Sequence, residues 1–358
     1  MESRAVGALL MSYHLKGVFV GSGLEGMCKP AVVAEILRLT AKPDPQVVYL
    51  GTATYDSPVA RETQTRPLID AGAQVTPLDV AWDVDDAQKK DAETLLQSAD
   101  AVVVSGGNTL YAVDRWRLLG IDYMLMAAAR RGAVMAGGSA GAICWFSGGH
   151  SDSGDPESFR PPSPFSSSSS SSSEDVGGTE SEDSKRAWEY VRVPGLSFLP
   201  GCLCPHHDRI QSNGLLRSDD FAAMIANNPA STSERGIGLD HYAALVLEGD
   251  GSYKILKLGA GGSQKIGDDG RISFTTERDQ GHPGVWIVEK AEGAPAGGDA
   301  MHVRRTGVPE QGLLSDLLLP ASSEGGGSEC QEDPKLAEIR TLNPASACAI
   351  WSKGDRVI

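Results

Sequence analysis

Positive charge is scarce in this chain. It carries 32 lysines and arginines against 47 aspartates and glutamates, a formal net charge of -15 at pH 7. That balance disfavours non-specific binding to nucleic acid or to acidic membranes. It also means that an anionic substrate would need a local cation to hold it. Long apolar runs are missing too, and none reaches the roughly 20 residues of a membrane span. Cysteine is sparse, six in 358 residues, which fits an intracellular chain with reduced, mostly buried thiols rather than a disulfide framework. No internal repeat is present. The opening residues 1–17 hold two basic residues, Arg4 and Lys16, around a short mixed apolar stretch without a clean cleavage site. They read as a leader into the first strand, not as a signal peptide.

With 41% hydrophobic and 22% charged residues, the composition is that of a soluble globular protein of one large or two modest domains. The chain centres on residues 132–145, GAVMAGGSAGAICW. Residues 133–136 are apolar and long enough for a buried strand. Gly137-Gly138-Ser139-Ala140-Gly141 follows at once, and the small or apolar residues after it can open a helix packed on a sheet. In that strand–turn–helix setting G-x-S-x-G has a physical meaning. The glycines allow a sharp turn, and the serine hydroxyl then stands out above the sheet. The amides just after Ser139 point the same way from a helix N-terminus, a place for an oxyanion. Read alone, the pentapeptide is equally a glycine-rich turn with an incidental serine.

Strand-like segments at 17–21, 47–51, 74–78, 101–104 and 133–136 alternate with helical ones at 31–39, 57–71, 87–97, 110–119 and 123–131. This rhythm predicts an α/β fold with a mostly parallel sheet covered on both faces, and ligands at the carboxyl ends of its strands. The glycine-rich turns at 106–108 and 137–141 fall at such ends. A further turn, GSGLEG, has G-x-G-x-x-G spacing at Gly21, Gly23 and Gly26. Cys28-Lys29-Pro30 separates it from the next helix, so it reads as a tight loop with no helix starting in it, not as a dinucleotide site.

Residues 150–186 contain an uninterrupted serine run, 166–173, among prolines and acidic residues. Nothing there can bury a core, and the stretch reads as a disordered insertion. Beyond it, 191–199 is strand-like and 218–226 a short helix. Residues 236–247 and 253–258 read as a hairpin turning at Gly249-Asp250-Gly251, and 285–288 as a strand closing the sheet. Residues 292–298 and 318–334 are loose. One domain is expected over 1–290, with 291–358 a partly loose C-terminal extension.

A serine hydroxyl is a poor nucleophile until a base accepts its proton. Among seven histidines, His206 and His207 stand out because they follow a Cys-Pro bend at the end of a strand. Cys202, Cys204, His206 and His207 also suggest zinc, but their spacing is too tight for a structural site and no second ligand pair lies at a regular distance. Backbone donors in Gly106-Gly107-Asn108 can face the helix N-terminus at Ala140 across an oxyanion. That turn is equally a plain βα connection.

Four stretches resemble, in order and spacing, the peptidase E (alpha-aspartyl dipeptidase) and cyanophycinase family of serine peptidases. They are residues 105–110 (SGGNTL) with Trp116-Arg117, residues 137–142 (GGSAGA), residues 204–208 (CPHHD), and Gly238-Leu239-Asp240 before Ala243-Ala244-Leu245. The likeness spans 16–260. It implies a flavodoxin-like three-layer α/β sandwich with a mostly parallel sheet, akin to class I glutamine amidotransferases. It implies a serine exopeptidase acting on dipeptides or short peptides with an N-terminal Asp, without metal or cofactor. By position, Ser139 resembles the nucleophile and His206 its base. The N–H groups of Gly107 and Ala140 resemble the oxyanion hole, with Asn108 beside it. Arg217, in Gly214-Leu215-Leu216-Arg217, resembles the arginine that holds the substrate's aspartate side chain.

The acid stays open. Asp152 resembles an aspartate that the family places near the site, and is favoured. Asp240 is the alternative, because His241 stands where relatives carry Glu or Asp. Adjacent strand residues face opposite ways, so Asp240 serves only if the backbone bulges. Three other readings stand beside this one: an amide hydrolase of another substrate class, an α/β-hydrolase esterase with a late histidine (His282 or His302), and an inactive binding homologue. The expected partner is a small peptide substrate, with no nucleic acid and no membrane. A homodimer is compatible with the reading, and the expected location is cytoplasmic.

Overall fold

Five short apolar segments set the frame: β1 (Lys16–Val20), β2 (Gln46–Leu50), β3 (Gln74–Pro77), β4 (Ala101–Val104) and β5 (Val134–Gly138). They run parallel in the order β1-β5-β4-β2-β3. Side chains alternate along a strand, and in all but the edge strand β3 both faces are buried. Val18, Val20, Val47, Tyr49 and Val103 pack with Val32, Val33 and Ile36 of helix Pro30–Thr40. Phe19, Val48, Leu50, Val102, Val104 and Met135 face the other way. They meet Leu96, Trp116 and Leu125 from helices Asp86–Ser98, Thr109–Leu119 and Ile121–Arg130. Strands covered on both faces have no room for polar alternation, which is why they read as near-continuous apolar runs.

This computed structural model describes residues 14–159, 188–227, 234–259, 264–266, 272–274, 283–291, 302–318, 333 and 335–346. After β5 the chain builds a second sheet from β6 (Phe146–Ser151), β7 (Val191–Pro194), β8 (Leu199–Cys204) and β9 (Gly236–Leu239). It returns to the first through β10 (Ala243–Glu248), antiparallel to β1, and β11 (Ser252–Lys257). β12 (Gln264–Ile266) and β13 (Ile272–Phe274) pair only with each other. β14 (Val285–Lys290), β15 (Val303–Gly307) and β16 (Gln311–Leu313) complete the set. The first sheet has the order β16-β11-β10-β1-β5-β4-β2-β3, the second β15-β14-β9-β8-β6-β7.

Four expectations change. A short helix, Leu24–Met27, does begin inside GSGLEG, before the one that starts at Pro30. His150 and Ser151 are not part of an insertion. They end β6 and are fully buried, and the chain is described as far as Phe159; the serine run lies outside the described residues. Residues 236–247 are not one strand. β9 and β10 belong to different sheets, joined by the link Asp240-His241-Tyr242. Only β10 and β11 form the hairpin at Gly249-Asp250-Gly251, and β14 joins the second sheet rather than closing the first. Of the described residues past 290, β15 extends the second sheet and β16 the first. Helix Lys335–Leu342 is tied down through Arg340, whose Nε lies 2.6 Å from Asp114. Among the described residues no helix is long and apolar enough to cross a membrane.

Candidate active site

The carboxyl ends of β1, β4 and β5 lie side by side, so the turns that follow them meet. After β5, Ser139 takes φ +54° and ψ -119° and helix Ala140–Ile143 starts at once. A non-glycine residue held there costs about 1–3 kcal/mol, a strain that persists only where the surroundings impose it. They do: the Ser139 amide donates to Val20 O of β1 at 3.0 Å, which ties the turn to the neighbouring strand end. Ser139 is only half-buried, so its hydroxyl is reachable.

After β4, Gly107 adopts φ +120°, and a Cβ there would stand 2.2 Å from Ala53 O. Only glycine fits. Gly107 is exposed, and among the described residues no hydrogen bond uses its amide or that of Ala140. Asn108 is different. Its amide donates to Ala53 O at 2.8 Å, and its buried side chain caps helix Thr109–Leu119 by accepting from the Tyr111 amide at 3.0 Å. Its Nδ2 donates to Ser158 Oγ at 2.9 Å. Asn108 therefore shapes the turn from inside and does not present a donor to substrate.

The histidine arrives from the second sheet. β8 ends at Cys204, Pro205 follows, and His206 adopts φ +50° while its amide donates to Gly21 O at 3.0 Å. Its Nε2 lies 2.9 Å from Ser139 Oγ. Burial, reinforced by the charges of Arg217 and Arg209, holds its pKa well below the ordinary histidine value. The ring is thus neutral and able to accept a proton. Cys202 and Cys204 pack instead with Phe221, Ile225 and Val288; His207 also meets Phe221, while His206 turns to Ser139. Among the described residues no three His, Cys, Asp or Glu side chains gather as a metal site.

Neither expected acid reaches His206. Asp152 Oδ2 sits 3.5 Å from Arg217 Nη1 and 3.2 Å from Gln211 Nε2. Asp240, in the link after β9, faces the other way. Its carboxylate meets His207 Nδ1 at 3.3 Å and accepts from Trp286 Nε1 at 3.1 Å. The group on His206 is His241, with the two Nδ1 atoms 2.7 Å apart. Behind it, His241 Nε2 lies 3.2 Å from Glu25 Oε2, and the Tyr242 hydroxyl donates to the same oxygen. The turn after β1 is held against this link by close packing: a Cβ on Gly21 would lie 1.9 Å from Asp240 O.

Arg217 is also not where a substrate carboxylate would meet it. The side chain is completely buried over the Tyr190 ring, and it donates to Gln211 Oε1 and His150 O, both at 2.6 Å. With Asp152 already beside it, a second carboxylate would have to displace the first. Of the late histidines, His302 lies by β14, where its carbonyl accepts from the Ala291 amide at 2.7 Å; His282 lies outside the described residues.

The residues missed in the sequence are Glu25 and, as a ring rather than as a gap, His241. The available signals were an acidic side chain in a glycine turn at a strand end and a histidine at a carboxylate position.

A strained serine on a strand-to-helix turn, met by a neutral imidazole, is the arrangement of a serine hydrolase. The chain belongs to peptidase family S51, whose model matches residues 19–255, and it is a serine-type peptidase by that membership. It is 30% identical over 326 residues to a protein named G2/mitotic-specific cyclin-1 from Trypanosoma brucei brucei, covering 85% of this chain and 87% of that one. The cell-cycle name belongs to that relative alone. It is 26% identical over 173 residues to the uncharacterized peptidase YgaJ of Bacillus subtilis (strain 168), covering 48% of this chain and 59% of that protein. Two crystal structures, of a candidate peptidase E protein from Listeria monocytogenes EGD-e and of a peptidase from an acI-B1 Actinobacterium, both give a TM-score of 0.46. Their identities are 14% and 16%, over 68% and 74% of this chain and 99% and 97% of theirs.

Proposed function

We propose that the chain hydrolyses short peptides with Ser139 as nucleophile and His206 as general base. The observation that carries this reading is the 2.9 Å contact between Ser139 Oγ and His206 Nε2, reached by two backbones that both pass through positive φ. The Ser139 proton moves to His206 Nε2 as Oγ attacks the peptide carbonyl carbon. The electron pair displaced onto the carbonyl oxygen is held by the N–H groups of Gly107 and Ala140. The C–N bond then breaks, and His206 returns its proton to the leaving amine. Water, deprotonated by the same ring, then attacks the acyl carbon; the C–Oγ bond breaks, and His206 returns that proton to Ser139 Oγ.

Family likeness carries the preference for an N-terminal Asp and for dipeptide length; Arg217, buried against Asp152, does not. The test is a panel of Asp-X, Glu-X and isoaspartyl dipeptides with the wild type and Ser139→Ala. Hydrolysis that is greatest for Asp-X and lost in the variant, with unchanged circular dichroism, is the expected result. Full activity in Ser139→Ala rules the mechanism out. A panel led by another amide moves the substrate class and leaves the mechanism standing.

A further inference from the structure

A serine–histidine pair needs something to fix the histidine tautomer and to balance the charge that forms on it. The nearby carboxylates are committed elsewhere. Asp152 is on Arg217 and Gln211, Asp240 on His207 and Trp286, and Asp208 accepts from the His241 amide at 2.8 Å. Yet the hydrogen-bond chain from Ser139 does end on a carboxylate, one step further out. We propose that His241 and Glu25 together form the third member of this site: a neutral imidazole that relays His206 to a carboxylate on the turn after β1. Both are positioning residues, since neither touches the reacting atoms, and the proposal rests on the reading of Ser139 and His206 given above.

The tautomers follow from one requirement. His206 Nε2 must be bare to accept the serine proton, so His206 carries its hydrogen on Nδ1. That N–H points at His241 Nδ1, which must then be the acceptor, so His241 carries its own hydrogen on Nε2. This second N–H points at Glu25 Oε2. Every donor in the chain meets an acceptor, with no clash and no proton left over. When His206 takes the serine proton, its imidazolium still donates Nδ1–H to His241, and the counter-charge sits on Glu25.

Glu25 is suited to hold that charge. The hydrogen bonds from Tyr242 and His241 keep its pKa below the usual glutamate value, so it is ionised at neutral pH. Burial keeps His241 neutral by pulling its pKa down, against the opposing pull of Glu25. The charged and titratable groups around His241 are Glu25 and Lys29 near the turn after β1, His206, Asp208 and Arg209 after β8, and Tyr242 at its side. Lys29 and Arg209 both lie over the Tyr242 ring, at 5.4 and 5.2 Å from its centroid, and the Arg209 charge adds to the pull that lowers Glu25.

The test is a kinetic cycle on the full chain with an Asp-X dipeptide. Glu25→Gln keeps the shape and removes the charge. On the relay it lowers kcat by about ten- to a hundredfold, the usual loss for an outer partner of a functional ligand, with little change in KM. It also moves the acid limb of the kcat/KM profile to lower pH, because an imidazolium without a counter-charge loses its proton more readily. Glu25→Asp recovers part of the rate. In a His241→Glu background a carboxylate reaches His206 directly, and the cost of adding Glu25→Gln shrinks to about twofold or less, a coupling that only an interacting pair gives.

Glu25→Gln with wild-type kcat and an unmoved acid limb overturns the relay. So does an equal loss in both backgrounds. Should His241→Glu fail to fold, the pH profile of Glu25→Gln decides alone, since a merely structural defect lowers the rate without shifting the limb. Ser139→Ala run alongside separates the two ideas: if it is dead while Glu25→Gln is unaffected, the relay falls and the nucleophile stands. If Ser139→Ala is active, both fall.

Discussion

The two halves of the site are built from different material. Ser139, Ala140 and Gly107 stand at the ends of β4 and β5, central strands buried on both faces. Their geometry comes from backbone: one strained serine whose amide is tied to β1, and one glycine with no room for a Cβ. His206 and His241 stand on connections between elements and Glu25 on the short helix Leu24–Met27, and side-chain hydrogen bonds join the three. The difference teaches where such a site can change. The nucleophile half is over-determined, because altering one residue collides with the sheet. The proposed base half is a chain of side-chain contacts, in which a ring plus a carboxylate would occupy the place of a single acid.

The comparison can be broken most severely at the junction of the halves. His206→Ala should cost about 10⁴-fold or more in kcat, and the double variant with Ser139→Ala should be no worse than either alone, because the two act as one unit. Steady-state rates on all three variants check this. Ser139→Gly is the companion stability experiment. It should be equally inactive, yet match or exceed wild-type stability by about 1 kcal/mol in urea unfolding, because glycine accepts φ +54° without strain.

Next in size is the turn proposed to hold the oxyanion. Gly107→Ala places a Cβ against Ala53 O. It should lower kcat by about 10²–10³-fold, the loss typical of a removed oxyanion donor, while KM moves far less.

The halves should also respond oppositely to pH. His150, buried beside Arg217 under the base half, has its pKa pushed down to about 4, chiefly by burial. Between the ordinary value of 6.5 and about 4 the unfolded chain binds a proton that the fold does not, so stability falls as pH falls, by about 1.4 kcal/mol per pH unit. Asp56, in the loop behind the oxyanion turn, is pushed up from 3.8 to about 7, again chiefly by burial. There the fold holds the extra proton, so this contribution is lost as pH rises from 3.8 to about 7. Asn accepts the same Ala81 amide hydrogen bond and tolerates the positive φ of Asp56. Asp56→Asn should therefore be more stable than wild type by about 1–3 kcal/mol at pH 8 and no more stable at pH 4, measured by thermal melts at both.

The smallest effect concerns the C-terminal segment. Asn343 Nδ2 donates to Tyr55 Oη at 2.9 Å, and that hydroxyl donates to Ser158 O, whose residue bonds Asn108. Asn343→Ala should cost about 1 kcal/mol of stability in urea unfolding and spare the base half.

The parallel core was legible because β1, β2, β4 and β5 are apolar on both faces and are separated by segments of helical length. The elbow was legible because glycine spacing and a serine are local signals. The second sheet was not. β9 and β10 read as one strand because Asp240-His241-Tyr242 contains no glycine or proline to mark the crossing. Its bend follows from Gly21 packing on Asp240 O, a contact between residues far apart in the chain. His150 looked like the start of an insertion because Ser and Gly surround it; its burial comes from β8 and Arg217, which arrive later. For the same reason Asp152 and Arg217 each looked functional alone, and only folding shows that they satisfy each other.

The central claim, that Ser139 forms the acyl intermediate, is tested most directly by trapping it. The protein would be treated with a phosphonate analogue of an Asp-X dipeptide, digested, and the modified peptide sequenced by mass spectrometry. The account predicts a single adduct on Ser139, absent from His206→Ala. An inactivated enzyme whose adduct lies on any other residue would contradict it.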